Sequence, residues 1–221
     1  MPVSVAEHTQ RGQFIQVWDG KRQVEIFIRA EGNPWQETIV LLHGVPASSF
    51  LYRKVIPLLA KRNKRVIAFD FPSMGLSDKA PDGSYSWSDL ADITKSVFDV
   101  MSLPPSHIVV HDIAGPIGAE FAIKNPEKVA SITICNTMLN VKDFEPPFPM
   151  NLFTIPYVDS ITFKLMTTPM LNFMTTIIFR IFGSNAITQK DIYAYQYLLS
   201  TKKGEKAFLK TMKSFQTSQE H

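Results

Sequence analysis

Asp112 is the residue whose neighbours best equip it for chemistry. It follows Ile108-Val109-Val110-His111, a short β-branched run, and precedes Ile113-Ala114-Gly115-Pro116. Beyond Gly115, the small and apolar residues Gly118, Ala119, Ala122 and Ile123 recur at helical spacing. The run reads as a strand buried on both faces, so the chain must bend sharply where it meets the helix. A carboxylate on such a bend stands clear of the sheet, near the positive end of the helix that follows. It is ionised at neutral pH and can attack an electrophile without first losing a proton to a base. Aspartate also suits the N-cap, where it would only satisfy helix amides. The stretch by itself admits both roles.

The elements that must position Asp112 are legible on either side of it. Phe14 to Trp18 and Gln23 to Arg29 alternate apolar and polar residues around Asp19-Gly20, an antiparallel hairpin pattern. Thr38 to Leu42 is a continuous apolar strand that runs straight into His43-Gly44-Val45-Pro46. Phe50 to Leu59 reads as a helix, and Arg65 to Asp70 as a second buried strand opening a turn-rich loop, Phe71 to Asp78. Ser86 to Met101 carries Leu90, Ile93, Val97 and Val100 on one helical stripe, and Val129 to Asn136 is a further strand. Strands separated by helices predict an α/β fold with a mostly parallel sheet flanked by helices. After Asn140 the character changes: Glu145-Pro146-Pro147-Phe148-Pro149 reads as a linker, and Met150 to Phe215 offers Met- and Phe-rich helices without a buried strand. The division expected is a core over 1–139 and a helical cap over 140–221. Adaptable Met and Phe side chains suit either an apolar cavity wall or the cap's own packing.

Composition narrows the classes. Among 221 residues, 45% are hydrophobic and 19% charged, which excludes a disordered or membrane-embedded chain. A net charge of +3 with scattered Lys and Arg gives no reason to expect a nucleic-acid partner. Lys202, Lys203, Lys206, Lys210 and Lys213 read as one solvated helix face. Met1 to Arg11 contains no apolar signal region, no stretch is long and apolar enough to span a membrane, and the single Cys135 reads as a buried thiol. A cytoplasmic protein is the expectation. No phosphate loop and no metal-ligand spacing is found, so neither cofactor nor metal is expected.

Three motifs stand in fixed order: His43-Gly44-Val45-Pro46-Ala47-Ser48-Ser49-Phe50-Leu51-Tyr52-Arg53, Asp70-Phe71-Pro72-Ser73-Met74-Gly75-Leu76-Ser77-Asp78, and Val109-Val110-His111-Asp112-Ile113-Ala114-Gly115. Together they resemble the α/β-hydrolase superfamily, and within it the branch of haloalkane dehalogenases and epoxide hydrolases. The resemblance implies that Asp112 is the nucleophile, forming an alkyl-enzyme ester with a lipophilic small molecule. It implies that the backbone N–H groups of Val45 and Ile113 form the oxyanion hole, where losing one donor typically costs about 100- to 1000-fold in rate. It also implies Tyr157 as a cap proton donor for an opening epoxide, and a substrate site lined by His43, Ile113, Phe153 and Tyr157. Dehalogenases of this branch usually hold the halide with side-chain N–H donors where this chain has Ile113 and Val45, and all three tryptophans, Trp18, Trp35 and Trp87, precede Asp112. Epoxide opening is favoured accordingly.

The resemblance also exposes a gap. The family supplies a base histidine after a last strand, and none of His8, His43, His107, His111 or His221 follows a late buried strand. The position at which some relatives carry the acid holds Asn136. The expectation is a fold lacking its C-terminal strands, with the strand from Val129 left at an edge that invites a second copy or a complementary C-terminal chain. Such a chain would perform the alkylation half-reaction only. The alternative is a non-catalytic binding or scaffolding protein of the same fold.

Overall fold

The computed structural model describes residues 1–79, 85–139, 141, 145, 150–167, 187–200 and 204–217. A six-stranded sheet organises them, built from β1 (Gly12–Trp18), β2 (Gln23–Glu31), β3 (Thr38–Leu42), β4 (Arg65–Phe69), β5 (Ser106–His111) and β6 (Val129–Cys135) in the order β1-β2-β4-β3-β5-β6. β1 and β2 form the expected hairpin, closed by the Asp19 carboxylate accepting from Lys21 N–H and Arg22 N–H at 2.9 Å each. The pairings of β2 with β4 and of β1 with β2 are antiparallel; the rest are parallel. The parallel pairs follow from helical crossovers. α2 (Val55–Ala60) joins β3 to β4, α3 (Trp87–Val100) joins β4 to β5, and α4 (Ala114–Lys124) joins β5 to β6.

Local chemistry explains the boundaries. α3 starts at a capping box in which Ser86 Oγ accepts from Asp89 N–H at 3.1 Å and Asp89 Oδ2 accepts from Ser86 N–H at 2.7 Å. The helix expected over 50–59 is divided into a 3₁₀ turn, Ser49–Tyr52, and α2. Pro57 has no N–H to return to Arg53, so the helix restarts with Pro57 in its first turn. An N-terminal helix, α1 (Val3–Gln10), went unread in the sequence because only Val5 and His8 are buried along it.

The main core lies between the sheet and α3 and α4, where the Phe98 and Phe121 rings meet at 4.8 Å. α4 comes so close to β5 that a side chain on Gly118 would collide with Val110. β5 departs from the expectation of burial on both faces: Ser106, Ile108 and Val110 are buried, whereas His107, Val109 and His111 are half-buried. The reason is its neighbour. β6 is one of the two edge strands among the described residues, with Ile134 52% exposed and Cys135 half-buried rather than enclosed.

α5 (Val158–Met166), α6 (Gln189–Ser200) and α7 (Gly204–Thr217) supply the late helices. Most of their buried side chains join the sheet's core: Phe163, Leu199, Phe208, Leu209, Met212 and Phe215 belong to the same cluster as the sheet, while Ala194 and Leu198 pack with Val5 and Phe50. Phe215 stacks on Trp87 at 4.2 Å, and Ser214 Oγ donates to the Tyr85 carbonyl at 2.6 Å. α6 is fastened by the Arg53–Asp191 ion pair, with the Arg53 guanidinium 4.2 Å over the Phe50 ring. No helix among the described residues is long and apolar enough to cross a membrane.

Beneath α1, His8 is 2% exposed and lies 5.4 Å from both the Phe27 and the Phe50 ring. Arg29 Nη1 donates to its Nδ1 at 3.1 Å, so the ring proton sits on Nε2 and is donated to Ser49 Oγ at 3.0 Å. Burial, reinforced by the Arg29 and Arg53 charges and opposed by Asp70 and Glu31, lowers its pKa from 6.5 to about 4. Between these values the unfolded chain holds a proton that the folded chain lacks. The contribution is therefore intact above pH 6.5 and falls away toward pH 4, by on the order of 3 kcal/mol. In urea melts from pH 7 to 4.5, the parent should lose stability more steeply than His8→Gln; parallel declines would assign the titration to other groups.

Candidate active site

β3 and β5 are parallel neighbours in register from Ile39↔His107 to Leu42↔Val110, so the turns leaving their C-terminal ends emerge side by side. One turn carries Gly44 and Val45 and the other carries Asp112. Asp112 takes the left-handed backbone region, φ 57°, at the sharp bend before α4. Such a conformation in a non-glycine residue persists only where its surroundings enforce it. The helix N-cap is Ile113, and no side chain caps α4. Asp112 Oδ1 instead accepts the Val45 N–H at 2.8 Å, across the gap between the two turns. Among the described residues, Oδ2 accepts no hydrogen bond. Gly44 must lack a side chain, because a Cβ there would land on the Asp112 side chain, 2.6 Å from its Cγ.

His43 braces this arrangement from below. It is fully buried, its Nε2 accepts the Phe71 N–H at 3.0 Å, and its Nδ1–H is donated to the Gly44 carbonyl at 2.8 Å. Desolvation lowers its pKa, against the raising influence of Asp70, the Gly44 bond and Asp112, and the ring is neutral. Both ring nitrogens are committed to backbone. The ring has no exposed surface, and its two bonds join the turn carrying Gly44 to Phe71.

A second carboxylate escaped notice in the sequence. Asp70, at the end of β4, is buried and accepts Ser49 N–H at 2.6 Å and Leu76 N–H at 2.7 Å. It ties the segment after Val45 to the loop after β4. Gly75, at φ 50°, leaves room for it, and Lys79 Nζ holds that loop through the carbonyls of Gly75 at 2.6 Å and Ser77 at 3.1 Å. The available signal was a carboxylate closing a buried strand ahead of Pro72 and Gly75.

The remaining candidates separate. Ile113 is buried and Val45 packs against the cluster that contains it and Phe153, whose ring meets Phe208 at 5.3 Å. Tyr157 is 88% exposed at the N-cap of α5. Tyr193 is also exposed, while the Tyr195 hydroxyl accepts from Arg53 at 3.3 Å. Asn136 directly follows β6 with φ 42°. No described histidine hydrogen-bonds Asp112; His107 bonds Ser131 at 2.8 Å, and His221 lies outside the described residues.

Known proteins resemble this chain in sequence and in fold. The profile of the alpha/beta hydrolase fold family matches residues 37–161. A haloalkane dehalogenase of Psychrobacter cryohalolentis is 36% identical over 116 residues, covering 52% of this chain and 38% of that protein. An uncharacterized hydrolase of Saccharomyces cerevisiae is 33% identical over 122 residues, 55% of this chain and 41% of that protein. The match spans about two fifths of the length of these curated relatives. An epoxide hydrolase structure from Vigna radiata superposes with a TM-score of 0.73 at 16% identity, covering 96% of this chain and 73% of that one. A tetrameric haloalkane dehalogenase from Paraglaciecola agarilytica gives 0.66 at 22% identity, covering 90% and 64%. At these identities the structures speak to the fold.

The close approach of the two turns makes a specific demand on Gly44. Gly44→Ala should lower thermal stability by about 1–3 kcal/mol. It should also shift the Val45 amide resonance as the carboxylate is driven off that N–H, whereas an unshifted resonance would show that the turns can part without cost.

Proposed function

Because the chain belongs to the α/β-hydrolase family, we propose that Asp112 is the nucleophile of a hydrolase acting on lipophilic epoxides or related alkylating small molecules. The observation that carries this reading is the division of labour within one carboxylate. Oδ1 is held by the Val45 N–H while Oδ2 is uncommitted among the described residues, on a bend that a mere helix cap would not need.

In this reading Oδ2 attacks a saturated ring carbon. The new C–O bond forms as the oxirane C–O bond breaks, and the ring oxygen leaves as an alkoxide that takes a proton from water or an acidic hydroxyl. The product is a hydroxyalkyl ester of Asp112 that contains every atom of the epoxide. Oδ1 becomes the ester carbonyl oxygen, and the Val45 N–H is already aimed where negative charge would develop during hydrolysis; the Ile113 N–H is the second donor. Ile113 and Val45 bring apolar side chains to the positions beside the nucleophile, which favours an epoxide over a halide that would need solvating donors. Residues 140–221 act as the cap over the core 1–139, with Phe153 on its apolar side. Among the described residues no histidine hydrogen-bonds Asp112, so the step these residues support is the alkylation.

Incubation with a panel of aryl and alkyl epoxides followed by peptide mass spectrometry should add the full mass of the epoxide to the Asp112 peptide, and nothing to Asp112→Asn. An unmodified Asp112 across the panel would reject the nucleophile and favour a binding or scaffolding protein that retains the fold.

A further inference from the structure

We propose that Thr137 is a positioning residue for Asp112, holding the backbone of the bend from the side opposite Val45. Its consequence for alkylation rests on the function proposed above; its effect on conformation does not.

Two hydrogen bonds reach the main-chain carbonyl of Asp112. One comes from the Gly115 N–H at 3.2 Å, within the bend itself. The other comes from Thr137 Oγ1, which also lies 3.1 Å from the Met138 carbonyl but is closer to that of Asp112. Where one hydroxyl proton faces two carbonyls, the nearer one, here that of Asp112, is the stronger acceptor. Sheet geometry makes the reach possible. β6 pairs with β5 through His111↔Cys135, so the residues after Cys135 emerge beside Asp112. Asn136, in the left-handed region at φ 42°, then turns the chain. Gly115 completes the fit, since a Cβ there would collide with Thr137 Oγ1 and the Met138 carbonyl.

The nucleophile is thus gripped twice. From β3, a backbone N–H holds its side chain; from β6, a side-chain hydroxyl holds its backbone. The first bond sets where Oδ1 sits, and the second opposes relaxation of the bend toward ordinary negative φ. Relaxation would swing the carboxylate off the Val45 N–H, and small misplacements of a reacting group cost up to about 100-fold in rate.

Thr137→Val removes the hydroxyl at nearly constant volume, and Thr137→Ser keeps it. With a saturable epoxide probe, Thr137→Val should lower the maximal rate of Asp112 alkylation by about 10- to 100-fold with the half-saturating concentration unchanged, and Thr137→Ser should stay within about threefold of the parent. By NMR, the Asp112 carbonyl carbon shift and the HN–Hα coupling that reports its φ should move in Thr137→Val and be restored in Thr137→Ser. An unmoved resonance in Thr137→Val, or a serine variant as impaired as the valine, would overturn the proposal. If the parent takes up no epoxide, the nucleophile reading falls, and the NMR measurement still decides whether Thr137 sets the bend.

Discussion

The site depends on one contact between two turns: the 2.8 Å bond from Val45 N–H to Asp112 Oδ1. It exists because β3 and β5 are adjacent and parallel, which brings both C-terminal ends to the same edge of the sheet. A parallel sheet of this kind lines up its loops at one end, where residues distant in sequence converge. The absence of a side chain on Gly44 lets the turns approach, and the left-handed backbone at Asp112 directs the carboxylate across the gap instead of into the helix.

Around this contact the chain has placed braces rather than further chemistry. His43 joins the β3 turn to Phe71, and Asp70 joins Ser49 to Leu76. Arg29 and Ser49 fix His8 in one tautomer. Each polar side chain here is buried and matched to backbone or to another side chain, as burial of such groups demands. The bracing holds the loops at the strand ends, and these loops bear the candidate functional atoms.

Much of this could be read before folding was considered. The apolar runs located β3 and β4 closely, and the break between Val110 and Gly115 located Asp112 and Ile113. Val45 was legible only through the resemblance, since nothing local marks its N–H as a donor. Thr137 and His8 were illegible, and Asp70 only faintly marked, for a common reason: their partners lie across the sheet or on another element, and tertiary pairing leaves no period in the sequence. Tyr157 was named from its place in the order of elements, which carries no information on its burial. The half-exposed face of β5 had a similar cause, as an apolar run states affinity for a core without stating whether anything covers it.

The small apolar cluster beside the main core joins Val5 on α1 and Phe50 to Ala194 and Leu198 on α6. This ties Val5 to side chains far along the sequence, Ala194 and Leu198. Contacts of such wide sequence separation incur their loop-closure entropy before any reward arrives. α1 can therefore settle through His8 on Phe27, Arg29 and Phe50 before α6 is present, while the seat of Val5 stays open on one side. Val5 gains its full cover only when Ala194 and Leu198 are in place, so whatever loosens α6 also uncovers one side of α1.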